Sequence, residues 1–572
     1  MIETDNRASS YYGFERPEVL RLVPEDASRI LDVGCGTGRL GENIKKRQNA
    51  VVYGVEPQHE TAELAATKLD HVWNCPIEEA LHEIADDTLD CIITADVLEH
   101  LVDPWSVLKQ LHKKLKPGGK VVASIPNVQH WSVAKQLLEG SWRYEAMGLL
   151  DSSHIRFFTR RSIYELFCNA GLKITNVGYT TNGAGASGKI LAALAKAGIK
   201  TDSLAKDGQV FQYLVVAERT TPVEKPPRVS IVILNWNGLA DTIECLESVR
   251  KIDYPNYDII VVDNGSADGS PQKIRVQFPD ITVMETGKNL GFAEGNNVGI
   301  RHALANGAEY VFLLNNDTVV DPQILNAFVK TAQLCPQAGI LGSKNYYYSD
   351  PARVWAVGAK WVDELMDFIL LGDPDLYIGS SLPAEIRAAG DDQFDEIIEV
   401  DGVVGCGLFI TAEVLHRIGF MDARYFLYWE EADLCTRAIH AGFQCLYVPT
   451  AKLWHKVAAS TGERSPMRSY FLSRNRLYWA KKNLPYPKRL SLYKLVFKKF
   501  FPRFAIKGKG EYPFLKSVYW AALQYRREFL KRYDNPSYKA MLWGMRDYFF
   551  NRLGDCPPKV RALKGGDGEY WS

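Results

Sequence analysis

Short apolar runs alternate with helix-period segments along most of this chain. Ile30-Leu31-Asp32-Val33 opens the series, Val51-Val52-Tyr53-Gly54-Val55 and Leu89-Asp90-Cys91-Ile92-Ile93 continue it, and the alternation holds from about residue 28 to 218. It starts afresh at Val229-Ser230-Ile231-Val232-Ile233-Leu234, passes through Ile259-Ile260-Val261-Val262 and Val311-Phe312-Leu313-Leu314, and runs to about residue 455. Apolar strands interleaved with helices predict α/β architecture with largely parallel sheets. Between the blocks, the stretch from Thr220 to Arg228 carries three prolines among polar residues and predicts a linker. The expected organisation is an α/β domain over 1–219, a linker over 220–228, a second α/β domain over 229–485 and a basic helical region over 486–572.

A chain of 572 residues is too long for one core, which agrees with that division. Lysine plus arginine equals aspartate plus glutamate, 68 each, so net charge excludes a general polyanion binder. The ten cysteines form no C-x-x-C pair and read as thiols of a reducing compartment rather than a disulfide framework. Met1-Ile2-Glu3-Thr4-Asp5-Asn6 lacks the basic and apolar regions of a signal peptide. No apolar run reaches the length of a spanning helix. The expected location is therefore the cytoplasm.

The first block carries a ligand signature. Its opening strand runs into Gly34-Cys35-Gly36-Thr37-Gly38, where glycines let the backbone turn sharply and approach a ligand. The next strand ends in Glu56, placed to accept hydrogen bonds from ribose hydroxyls. On spacing alone Gly36-x-Gly38-x-x-Gly41 also fits a dinucleotide site. The segments Asp96-Val97-Leu98-Glu99-His100-Leu101 and Leu115-Lys116-Pro117-Gly118-Gly119 complete an ordered set that resembles the class I S-adenosylmethionine-dependent methyltransferases, with their Rossmann-like fold. The resemblance implies that Asp32, Gly34, Gly36, Gly38 and Glu56 bind S-adenosylmethionine and that Asp96 and Leu98 line its pocket. Pro76 stands where many relatives have an acid that contacts adenine. His154, in Asp151-x-x-His154-x-Arg156, is the favoured proton acceptor, with His130 and His100 as alternatives.

The second block carries a different signature. Asn235-Trp236-Asn237-Gly238, Asp263-Asn264-Gly265-Ser266, Asn289-Leu290-Gly291-Phe292-Ala293 and Asn315-Asn316-Asp317 follow strands or open a helix in that order. Asp317 at a strand tip suits a hard cation shared with phosphates. The glycine-led helix start at Gly291 suits a phosphate. This set resembles the inverting nucleotide-sugar glycosyltransferases of family two, of GT-A fold and rhamnosyltransferase-like flavour. That resemblance implies nucleotide-sugar contacts from Asn235, Asp263, Asn289, Gly291, Asn315, Asn316 and Asp317. It also implies a cation, Mg²⁺ or Mn²⁺, on Asp317 and His455. In Tyr428-Trp429-Glu430-Glu431-Ala432-Asp433, Glu431 takes the place of the usual aspartate as catalytic base, with Glu430 beside it. Asp433 and Arg437 are spaced for an i,i+4 ion pair.

From Lys488 to Arg532 basic residues interleave with Phe497, Phe500, Phe501, Phe504, Tyr519 and Trp520, opposed only by Glu511 and Glu528. Basic amphipathic helices with aromatics predict contact with a membrane surface, and no nucleic-acid motif accompanies them. The combined expectation is a bifunctional enzyme of surface polysaccharide assembly, of O-antigen or capsule type. One domain transfers a sugar from a dTDP- or UDP-sugar to a lipid-linked glycan; the other O-methylates a sugar of that glycan. The enzyme would work on the inner face of the cytoplasmic membrane. The alternative is a methyltransferase-like domain that only binds or scaffolds.

Overall fold

The structure, a computed structural model, describes residues 15–183, 185–196, 201–220, 225–362, 367–373, 394–457, 465–500, 526–527 and 530–563. It divides into two compact units, 1–224 with 333–336, and 225–332 with 337–572.

The first unit is built on seven strands: β1 (Arg29–Val33), β2 (Val51–Val55), β3 (His71–Trp73), β4 (Leu89–Ala95), β5 (Leu115–Pro126), β6 (Leu172–Thr181) and β7 (Val210–Arg219). Their order is β3-β2-β1-β4-β5-β7-β6. β1 pairs in parallel with β2 on one side and with β4 on the other. β7 runs antiparallel to both neighbours. The chain reverses its direction of travel across the sheet between β1 and β4. A crevice opens at such a switch point, outside the carboxyl ends of the strands. Ile30, Leu31, Ile92 and Val121 are wholly buried, which explains why the parallel strands read as continuous apolar runs. Eight cysteines are free thiols, seven of them buried. The other two, Cys168 and Cys335, stand sulfur to sulfur within the first unit, a juxtaposition that their spacing in sequence did not announce.

The second unit holds an eleven-stranded mixed sheet. Its strands are β8 (Val229–Asn235), β9 (Tyr257–Asp263), β10 (Thr282–Glu285), β11 (Tyr310–Asn315), β12 (Thr318–Val320), β13 (Ala338–Tyr347), β14 (Val354–Val362), β15 (Asp367–Gly372), β16 (Ile398–Val400), β17 (Gly407–Thr411) and β18 (Gln444–His455). β10-β9-β8-β11 is parallel, as the apolar runs predict. β17 then lies antiparallel to β11, and β13, β14 and β15 continue as an antiparallel set. β18 pairs with β12 in a register that sets Thr318 opposite His455.

Five helices of this unit matter for the site: α1 (Gly291–Ala305), α2 (Glu430–His440), α3 (Pro466–Asn483), α4 (Pro536–Phe549) and α5 (Pro558–Arg561). α3 and α4 begin alike, with a side-chain cap from Ser465 or Asn535 and a proline in the first turn. They pack on each other across Gly544, where a Cβ would collide with the Tyr470 carbonyl. The described end of the chain is thereby part of the second unit rather than a separate appendage. Of the basic stretch, residues 501–525 and 528–529 and the side chains of 497–500 lie outside the described residues.

Candidate functional site

At the first unit's switch point, β1 ends at Val33 beside Val55 of β2, so that Asp32 and Glu56 flank the same loop. Gly34, Gly36 and Gly38 have φ of +67°, +52° and +74°, conformations that L side chains resist. Gly34 and Cys35 turn their N–H groups back onto the Val55 carbonyl. Gly36 donates to Glu56 Oε2 at 3.0 Å and Gln58 to Oε1 at 3.0 Å. Each Glu56 oxygen so accepts one bond and has capacity for a second. Burial pushes the Asp32 carboxyl up to about 7, and Glu56 adds to the push while Arg16 opposes it.

Asp96 follows β4 with φ of 57°. It accepts from Ser124 and from Gln212 at 2.8 Å and pairs with Arg16. The structure therefore gathers Asp32, the three glycines, Glu56 and Asp96 at one end of the sheet. Leu98 turns into the hydrophobic core and is wholly buried. Arg16 and Gln212 carried no signal in the sequence, because each meets Asp96 only through the fold.

The three histidines separate into two environments. His130 engages both ring nitrogens, with Ser132 Oγ and the Asn182 carbonyl at 2.8 Å each, and orients its loop. His154 and His100 stack edge to face at 4.8 Å beside buried Glu99. His154 Nε2 lies 4.0 Å from Glu99 Oε1, and neither Glu99 oxygen has a hydrogen-bond partner. Burial raises the Glu99 carboxyl well above its usual range. Burial, then His100, lowers the His154 imidazole and so favours its neutral, proton-accepting form.

In the second unit Asn235 donates to Asp263 Oδ2 at 2.8 Å, and Ser266 N to Asp263 Oδ1 at 2.9 Å. Both side chains are buried and brace the strand ends from within. Asn316 turns its amide onto Thr242 at 2.9 Å. Asn264, which sequence reasoning passed over, receives the Leu290 N–H at 2.9 Å and donates to the Gly291 carbonyl at 3.1 Å. The start of α1 was expected to offer its N–H groups to a phosphate. Instead Gly291 N bonds Asn289 Oδ1 at 2.8 Å, and Phe292 N bonds the Phe426 carbonyl at 2.6 Å. Gly291 has φ of +84°, and a Cβ there would stand 2.6 Å from Phe426.

Asp317 Oδ1 stands 3.2 Å from His455 Nε2, both residues being buried. Asp317 Oδ1 and His455 Nδ1 make no hydrogen bond. A carboxylate and an imidazole so juxtaposed, with unpartnered atoms, fit a divalent cation whose shell is completed by phosphate and water. Asn289, Gly291, Asn315, Asn316 and Asp317 line one cavity of about 450 Å³.

The two glutamates open α2. Burial raises both carboxyls, Glu430 well above the ordinary range with Glu431 adding to it. Glu430 is 3% exposed. Glu431 faces the Gly405 turn, where a Cβ on Gly405 would stand 3.7 Å from its carboxyl carbon. Cys406 senses both Asp317 and Glu431, since burial and then these two charges raise its thiol. The Cys406 carbonyl also accepts from Asn315 N at 3.0 Å, so the Gly405-Cys406 turn links the end of β11, two residues before Asp317, to the candidate base.

The loop before α2 holds Phe426, Tyr428 and Trp429 at φ of 68°, 66° and 76°, a strained run for bulky residues. Asn475 fixes it: its amide lies 2.8–2.9 Å from the carbonyls of Tyr425, Leu427 and Tyr428. Wholly buried Arg474 adds the Tyr425 carbonyl at 2.9 Å and the Gly554 carbonyl at 2.6 Å. Asp433 is bonded by Arg437 at 2.7 Å and by Lys482 at 2.8 Å, the i,i+4 pairing that its spacing predicts.

With these sites in place, residues 9–177 match the family model described as a methyltransferase domain, and residues 230–378 match that of glycosyl transferase family 2. The chain joins a class I, S-adenosylmethionine-dependent methyltransferase domain of Rossmann-like fold to a rhamnosyltransferase-like, GT-A-type domain of glycosyltransferase family two. It is 29% identical over 217 residues to an N-acetylglucosaminyl-diphospho-decaprenol L-rhamnosyltransferase of Mycobacterium tuberculosis, covering 36% of this chain and 68% of the relative. It is 23% identical over 281 residues to the dTDP-rhamnosyl transferase RfbF of Shigella flexneri, covering 46% and 84%. A ubiquinone biosynthesis O-methyltransferase of Cereibacter sphaeroides is 31% identical over 159 residues, covering 26% of this chain and 62% of the relative.

Proposed function

We propose that the second unit transfers a deoxyhexose of rhamnose type from a dTDP- or UDP-sugar to a lipid-linked glycan with inversion. We propose further that the first unit O-methylates a sugar of the same surface polysaccharide. The observation that carries this reading is the Asp317–His455 pair just past the end of β11, where the Gly405-Cys406 turn bonds Asn315 on one side and faces Glu431 on the other. Asp317 and His455 would hold a cation, Mg²⁺ or Mn²⁺, whose chemistry is to offset charge on the leaving diphosphate. Glu431 accepts the acceptor hydroxyl's proton as that oxygen attacks the anomeric carbon from the face opposite the diphosphate. One displacement on a centre of oxocarbenium character inverts it. Glu430, buried at the first turn of α2, supports the start of that helix rather than moving a proton.

In the first unit, Glu56 and the 34–38 loop fit the ribose of S-adenosylmethionine, which supplies the methyl group when bound. His154 takes the proton from the acceptor hydroxyl. The similarity to a dTDP-rhamnosyl transferase supports the dTDP donor, and that to an N-acetylglucosaminyl-diphospho-decaprenol rhamnosyltransferase supports a lipid-linked acceptor. No helix among the described residues is long and apolar enough to cross a membrane. Exposed Tyr486, Phe549 and Phe550, beside Arg489 and Arg552, support contact with an anionic lipid surface from the cytoplasmic side.

A donor screen tests the reading. Purified protein is offered dTDP- and UDP-sugars, a polyprenyl-diphosphate-linked acceptor and labelled S-adenosylmethionine, and products are read by mass. A deoxyhexose increment followed by a methyl increment is expected. A sugar increment with no label transferred to any glycan would leave the first unit as a binding or scaffolding module. No sugar increment from any donor would overturn the transferase reading.

A further inference from the structure

A diphosphate brings concentrated negative charge, and the donor cavity meets it at one side with a carboxylate, Asp317. A cation on Asp317 and His455 answers part of that charge. The helix start that usually answers the rest is closed here. The N–H groups of Leu290, Gly291 and Phe292 already bond Asn264, Asn289 and the Phe426 carbonyl. A second source of positive charge is needed on another wall.

The far end of the chain supplies one. Val560, Arg561 and Leu563 line the same cavity as Asn289, Asn315 and Asp317. Among the described residues that line it, Arg561 is the one cationic side chain. The strap that carries it is anchored at several points. Gly554 N bonds the Arg424 carbonyl at 2.8 Å, and Arg474 bonds the Gly554 carbonyl at 2.6 Å. Cys556 and Val560 are buried in one apolar cluster with Phe426 and Phe471. The strap is thus locked to the same loop that caps α1 and leads into Glu430 and Glu431.

We infer that Arg561 binds the diphosphate of the nucleotide-sugar donor and that the strap from Gly554 to Leu563 is a wall of the donor site. This rests on the transferase reading of the second unit given above. Arg561 now pairs with Asp555 at 2.6 Å, with the two side chains 41% and 45% exposed. An exposed pair of this kind is weak and exchangeable. The guanidinium fork matches two phosphate oxygens better than any other side chain does. The donor diphosphate can therefore displace Asp555 and take the fork. The C-terminal strap then belongs to substrate binding, a role separate from any membrane contact of the basic stretch before it.

The test is calorimetry of dTDP and UDP, with Mn²⁺ present, on the full chain and on three variants. Arg561→Gln should weaken binding by about ten- to a hundred-fold, as expected for loss of a charge-assisted bond. Arg561→Lys should fall between, since it retains charge without the fork. Asp555→Asn should bind as tightly as the parent or more tightly, because it releases Arg561. Binding by Arg561→Gln equal to the parent's overturns the inference. So does an Asp555→Asn protein as impaired as Arg561→Gln, for then the ion pair merely staples the strap. A parent protein that binds no nucleoside diphosphate, with GDP and ADP included, overturns the donor-site reading itself, which distinguishes the two failures. Thermal melts of each variant confirm that the compared proteins are folded.

Discussion

Two adjacent glutamates carry opposite expectations because they face different surroundings. Glu430 is sealed in, and burial holds its carboxyl well above the ordinary range, whereas Glu431 looks onto the Gly405 turn. Glu431→Gln should lower sugar-transfer kcat by about a hundred- to ten-thousand-fold with donor binding retained, as for loss of a general base. Glu430→Gln, which keeps the side chain's shape in its buried place, should keep most activity. A reversal of that order in steady-state kinetics would exchange their roles. The raised carboxyl of Glu431 also fixes the sign of the pH profile. Only the ionised form accepts a proton, so the rate is present above the raised pKa and falls as pH drops through it. The acid limb should therefore lie above the ordinary glutamate value of about 4.3, and it should vanish in Glu431→Gln. At the cation pair, Asp317→Ala should abolish transfer, and excess chelator should do the same to the parent. Full transfer by Asp317→Ala in chelator would remove the metal from the scheme. Glu431, Asp317 and His455 were legible in sequence because each follows a distinctive local string. Arg561 was not, because its neighbours in the cavity lie far away along the chain.

At the scale of elements, the parallel strands were legible because both faces are covered and the apolar runs are unbroken. β1, β2, β4, β8, β9 and β11 all fall where those runs predict. β13 to β15 and β18 are antiparallel or mixed partners of the sheet. Nothing local distinguishes a strand that joins from the opposite direction. The start of α1 looked open to an anion because its sequence says nothing of Phe426, 134 residues from Phe292 and bonded to it. The Arg474–Asn475 clamp was equally silent, since its partners are carbonyls, which any sequence possesses. Its importance follows from the three left-handed residues it restrains. Asn475→Leu, close in volume, removes the side-chain donor from the carbonyls of Leu427 and Tyr428, while the Tyr425 carbonyl keeps Arg474. Unsatisfied buried groups cost about 1–3 kcal/mol each, so the second unit should melt several degrees lower. Turnover should fall more than nucleotide binding, because α2 and Glu431 follow the loop directly. Unchanged kcat in a folded Asn475→Leu protein would show that the loop holds its shape without the clamp.

At the scale of the molecule, each unit carries a full set of groups for its own ligand. Glu56, Asp32 and the 34–38 glycines all lie in the first unit, while Asp317, His455, Glu431 and Arg561 all lie in the second. No residue assigned to one ligand is drawn from the other unit, so the two chemistries should be separable by single substitutions. Glu56→Ala removes the ribose acceptor and also frees the Gly36 and Gln58 N–H groups that organise the loop. S-adenosylmethionine binding should be lost to calorimetry, and methyl transfer with it. Sugar transfer measured on the same preparation should stay within about twofold of the parent, because independent sites with no shared partners act additively. Conversely, Asp317→Ala should bind S-adenosylmethionine as the parent does while its sugar transfer is lost. The informative failure is a folded Glu56→Ala protein that no longer transfers sugar. It would mean that the methyltransferase domain conditions the transferase through its bound cofactor, and that the fusion couples the two steps rather than merely tethering them.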